Sequence, residues 1–185
     1  MITAMLRAAR LDATFFEQVE ADPSAMAQAR GVVTAGGLLF GLGAAFRIML
    51  EGSAVGTGGA AMLVVAGIVA AWVGWWLWSA VALWVGTTIT FGPATEADLG
   101  QLLRTLGFAT APLALGVLQW LPAVGGALAA TALLWTLASA TVAVRQALDF
   151  TTARAVATLI IGWLLHAVVL GALFAWAWMT ATPVG

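Results

Sequence analysis

Residues 59–89 read GAAMLVVAGIVAAWVGWWLWSAVALWVGTTI, thirty-one positions without one ionisable side chain. A stretch this long and this apolar is a membrane helix rather than the core of a soluble domain. At roughly 1.5 Å per residue it exceeds a hydrocarbon core of about 30 Å, so it must tilt or project beyond the membrane. Similar runs lie on either side of it. Residues 31–50 form one, closed by Glu51-Gly52-Ser53, and residues 99–119 form another, interrupted by Pro112. Trp120-Leu121-Pro122 turns the chain into residues 123–146, and a polar link with Arg145, Asp149 and Arg154 leads to residues 155–179. The expected fold is all-α: a polytopic transmembrane bundle of about five spans within residues 31–185, preceded by an arm over residues 1–30.

Composition agrees. Of 185 residues 63% are hydrophobic and 8% charged, with a mean hydropathy of +1.03. A soluble domain is about a quarter charged, so the solvent for most of this surface is lipid. A net charge of −1 speaks against nucleic acid as a partner. The absence of cysteine removes disulfide, thiolate and zinc-thiolate chemistry, and the absence of lysine removes Schiff-base and P-loop chemistry.

The arm carries seven of the 15 charges. Asp12 is a helix N-cap for residues 13–20, where Phe15, Phe16 and Val19 form an apolar edge opposite Glu17 and Glu20. This is expected to be an amphipathic interfacial helix lying on the membrane. Asp22-Pro23 caps the next helix. Phe91-Gly92-Pro93 ends the long second span, and Thr95 with Asp98 is expected to cap the third. If the N-terminus is cytoplasmic, Arg7, Arg10, Arg30, Arg104, Arg145 and Arg154 face inward and only Arg47 faces outward. Six against one is the positive-inside pattern, giving an N-in, C-out chain. Trp120, Trp176 and Trp178 would then mark the outer interface and Trp84 the inner one.

All eight acids lie in the arm or in connections, leaving no mid-membrane carboxylate for proton relay or cation coupling. His166 is the one titratable group near the centre of a span. It is a weak candidate for a cofactor ligand, and a satisfied neutral imidazole is the plainer reading. Catalytic, metal and cofactor sites are therefore not expected. Trp72, Trp75 and Trp76 share a broad helix face for packing or for a partner protein, set too deep to be wholly an interface belt. Gly37 and Gly41 form a GxxxG face in the first span. Pro112 breaks the third span, as transporters break spans to free carbonyls, although a bend alone is the commoner outcome. Arg104, Arg145, Gln146, Asp149 and Arg154 form the candidate site for lipid headgroups or a partner's carboxylates. Arg145 and Asp149 are alternatively a local i,i+4 pair.

The run Leu103-Arg104-Thr105-Leu106-Gly107-Phe108-Ala109-Thr110-Ala111-Pro112 resembles the stretch opening the third span of bacterial Yip (Ypt-interacting protein) domains. Leu134-Trp135 and the segment from Ala143 to Ala155 are similar to that family's passage from fourth to fifth span, and Asp12–Pro23 is similar to its lead-in. The resemblance implies a five-span, N-in domain in a bacterial inner membrane. Eukaryotic members act in vesicle traffic with small prenylated GTPases, but their long cytosolic N-terminal domain is not matched here. Two functions follow as expectations: a non-catalytic scaffold or accessory subunit binding lipids and other membrane proteins or itself, or a transporter or channel for a small or lipophilic solute.

Overall fold

The structure is a computed structural model that describes residues 1–52, 56–88 and 98–181; the side chains of 166, 167 and 169–181 are outside the description. Every regular element described is helical: α1 (Ile2–Ala9), α2 (Ala13–Ala21), α3 (Met26–Leu50), α4 (Gly56–Thr88), α5 (Leu99–Ala109), a 3-10 segment (Ala111–Trp120), α6 (Gly125–Ala147) and α7 (Thr152–Ala181). Four helical stretches are long and apolar enough to cross a membrane, and α7 adds an apolar helix of 30 residues. The polytopic helical bundle read from the sequence is thus the fold. The expected stop at Phe91-Gly92-Pro93, the Thr95 cap, the His166 side chain, and the Trp176 and Trp178 indoles fall outside the described residues.

Local chemistry sets the ends of the elements. Asp12 accepts the Phe15 N–H at 3.1 Å as N-cap of α2, and Arg7 Nε donates to its other carboxylate oxygen at 2.7 Å, tying α1 to α2. Asp22 accepts both the N–H and the hydroxyl of Ser24, and Pro23 opens the turn into α3. The cap of α5 is Asp98 itself. It accepts the Gln101 N–H at 3.0 Å while the Gln101 side chain accepts the Asp98 N–H at 2.7 Å, a reciprocal capping box from Asp98 to Gln101.

Glycine fixes the register of α3 against α4. A methyl built on Gly37 would lie 2.7 Å from the Gly67 carbonyl oxygen, one on Gly67 2.6 Å from that of Gly37, and one on Gly41 2.9 Å from that of Leu63. The two backbones touch, as small-xxx-small seams allow. Gly37 and Gly41 are thereby engaged within the chain. In the same antiparallel register the Trp72 indole N–H donates to Thr34 Oγ1 at 3.1 Å, which sets Arg30 level with Trp76. Arg30 and Arg47, both exposed, are seventeen residues apart on α3, about 26 Å of helix rise and close to a hydrocarbon thickness. A hydrocarbon slab of ordinary thickness fits between them. With a slab placed there, Trp72, Trp75 and Trp76 would lie near its edge, where indoles are common. Their rings meet edge to face, Trp72 with Trp75 at 5.3 Å and Trp75 with Trp76 at 6.1 Å, across one broad face that runs from the buried Trp75 to the exposed Trp76.

Pro112 acts as a change of helix type. α5 stops at Ala109, and the chain continues for ten residues as a 3-10 helix with Pro112 in its first turn. Proline has no N–H to extend the α ladder. Neighbours hold the tighter winding: the Phe40 ring lies over Gly116, Gly43 approaches the Gly116 carbonyl, and Gln119 Nε2 donates to the Phe40 carbonyl at 2.7 Å.

Candidate functional site

Arg104, on the second turn of α5, is 9% exposed. Its Nε donates to the Val19 carbonyl at 3.2 Å and its Nη2 to the Glu20 carbonyl. Both carbonyls lie in the last turn of α2, where the Val19 carbonyl also accepts the Asp22 N–H at 3.3 Å, and a guanidinium there opposes the negative end of the helix dipole. Next to it, Gln146 Nε2 donates to Glu17 Oε1 at 2.6 Å, while Arg145 Nε donates to Gln146 Oε1 at 3.0 Å. Two elements of the bundle end, α5 and α6, thus converge on one arm helix. The apolar edge of α2 is likewise inside the protein: Phe15, Phe16 and Val19 are core residues, and the Phe15 and Phe108 rings meet edge to face at 5.2 Å. This corrects the expectation that α2 lies on lipid. α5 and α6 offer it a deeper apolar seat, and its backbone ends find fixed partners there. α1 leaves Ile2 and Leu6 exposed, with Leu11 exposed just after it, while its C-terminal carbonyls are held by the Ser139 hydroxyl on Ala8 (3.1 Å) and the Trp135 indole on Ala9 (2.7 Å).

Of the predicted cluster, the structure joins Arg104, Gln146 and Arg145 in holding the arm and leaves Asp149 and Arg154 at its margin. Asp149 is exposed, with φ 49° at the turn after α6. Arg145 is turned to Gln146, and the ion pairs among the described residues are Arg7–Asp12 and Arg47–Glu51. Arg154 is exposed, with its guanidinium 6.0 Å over the Phe150 ring. The Glu20 carboxyl is pushed up by burial and then by the nearby Asp149 charge, against the pull of Arg104. Asp12 and Asp22 are held below the usual carboxylate range by hydrogen bonds from the Arg7 side chain and from Ser24.

Two features gave no clear sequence signal. Trp75 Nε1 donates to the Leu103 carbonyl at 2.8 Å, pinning the arginine-rich end of α5 to α4. Beside that bond a cavity of about 520 Å³ opens between α4, α5, α6 and α7, walled by Ala70, Gly74, Trp78, Leu113, Leu134 and Trp163 among others. It arises from the packing of four helices together, so no local pattern announces it.

Apolar spans that cross a slab and bring their arginines together at one end define a polytopic integral membrane protein. The family model for the Yip1 domain matches residues 11–179. The chain belongs to that family. Among curated proteins and among solved structures, no match to the chain was found.

Proposed function

We propose that the protein is a non-catalytic scaffold or accessory subunit that binds other membrane proteins, with its arginine-rich end in the cytoplasm of a bacterial cell. One observation carries the reading. With a slab between Arg30 and Arg47, α4 would run past its edge at Trp76 for twelve more residues, to Thr88. Trp84 lies eight residues beyond that edge and is 53% exposed, about 12 Å out by helix rise, past a headgroup layer of roughly 5–8 Å. A large exposed indole beyond both hydrocarbon and headgroups fits a partner's surface better than water. The transport reading has less support, because the cavity between α4, α5, α6 and α7 is walled mainly by apolar side chains and, among the described residues, carries no ionisable group to hold a polar solute.

The test is native mass spectrometry after gentle detergent extraction from the cell membrane, run on the wild type and on Trp84→Ser. A second membrane subunit held at fixed stoichiometry by the wild type and released by the variant supports the reading. A bare monomer, or an assembly of this chain alone, overturns it.

A further inference from the structure

We infer that the cavity between α6 and α7 is a lipid site, holding one acyl chain of a phospholipid from the leaflet at the arginine-rich end. Its depth is the first argument. Gly36 packs on Thr110 and Leu113, and Gly107 on Ala29 and Trp75, so the α5 wall of the cavity spans the levels of Ala29 to Gly36 on α3. Those levels run from the arginine line into the hydrocarbon, where the acyl chains of one leaflet begin. The second argument is access. Leu134 on α6 and Trp163 on α7 line opposite walls yet stay 66% and 54% exposed, so the space opens sideways between these helices into the membrane.

The chemistry of the wall is the third argument. The Thr110 hydroxyl is engaged by the Gly107 carbonyl at 2.7 Å, the Thr136 hydroxyl by that of Ala132 at 2.8 Å, and the Trp75 indole by that of Leu103. With these groups already satisfied, the wall has little to offer water, which needs several polar partners. A volume of about 520 Å³ lies well within the range of roughly 300–1,000 Å³ typical of ligand sites. Left empty, it would forfeit dispersion contacts along the whole wall. The bilayer supplies acyl chains at the opening. This inference does not rest on the scaffold reading, and either can fail alone.

The test uses the full chain in nanodiscs containing phosphatidylcholine with a mid-chain diazirine, with adducts located by peptide mass spectrometry. Gly74 is the position to fill: it lines the cavity, and a Cβ there meets nothing within 4 Å. Adducts should concentrate on the wall residues of α6 and α7 and fall about tenfold in Gly74→Phe, since a filled site excludes its ligand sterically. Ala130→Leu, on the facing wall, should act in the same direction. Val69→Phe, on the outward face of α4, should leave the adducts unchanged. Adducts spread over outward faces in proportion to exposure, or adducts on the wall that survive both fillings, overturn the inference. Should Gly74→Phe fail to fold, Ala130→Leu decides.

Discussion

At the residue scale, Arg104 shows how a charge that looks like a ligand site becomes part of the architecture. Its planar fork reaches two carbonyls, which the single point of a lysine ammonium does not reproduce. Hydrogen bonds from a charged donor contribute about 1.5–3 kcal/mol, so Arg104→Leu should weaken arm docking by about 2 kcal/mol. Amide exchange in α2 should then quicken about thirtyfold, with protection in α3 and α4 unchanged; equal loss across the bundle would contradict this. Titration gives a second expectation. Glu20 has a raised pKa when docked, so its contribution is full below the ordinary value of 4.5 and is lost as pH rises through the raised value. Asp12 and Asp22 have lowered values, so theirs is full above 3.8 and is lost as pH falls through the lowered ones. Docking should therefore tighten from neutral pH down towards about 4.5 and loosen on further acidification, as read by exchange in residues 13–21. Glu20→Gln should abolish the first limb and keep the second. That Arg104 and Gln146 matter was legible from their place at the bundle end; what they hold was not, because Val19, Glu20 and Glu17 lie more than eighty residues away in the chain.

Elements divide in the same way. The spans and the Asp12 and Asp22 caps were readable because apolar run length and capping are local properties. The depth of each span was not, since depth depends on register and the register is set where Gly37 meets Gly67. That contact sets Trp72, Trp75 and Trp76 near the level of Arg30, and of the packing or partner roles open to the GxxxG face it makes Gly37 and Gly41 an internal packing seam. Pro112 was legible as a break, but its form depends on Phe40 and Gly43, which no local pattern joins to Gly116. The glycine seam makes its own prediction. Both faces at Gly37 are backbone or Cβ, which cannot swing aside, and the Ala71 Cβ would stand 2.8 Å from an added methyl. Gly37→Val should therefore force α3 and α4 apart and cost about 1–3 kcal/mol by overpacking, read as a lower unfolding midpoint in detergent. Gly58→Ala on α4, where an added Cβ meets nothing within 4 Å, should leave the midpoint unchanged or slightly raised, because alanine is the better helix former. Equal effects at both positions would mean that the seam is not tight.

The whole molecule is polarised along the membrane normal. α1, α2, the opening turns of α5, the end of α6 and the far end of α4 form one layer, and six of the seven arginines belong to it. The opposite end carries Arg47, paired with Glu51 at 2.9 Å, beside the turn at Trp120-Leu121-Pro122. Arginine retention on the cytoplasmic side predicts that the thick, charged layer faces inward. Because the chain has no cysteine, a single introduced thiol reports its side of the membrane without background. Ser24 at the foot of α3 and Val124 at the head of α6 are exposed positions at opposite ends. A membrane-impermeant maleimide applied to intact cells should label Val124→Cys at once and Ser24→Cys only after permeabilisation. The inverse pattern would reverse the chain and set the arginine count against its usual meaning. Labelling of both from outside would place the two ends on one side and so refute the slab drawn between Arg30 and Arg47. Since that slab also fixes the depth of the cavity and the reach of Trp84, this one measurement bears on the acyl-chain site and on the partner surface together.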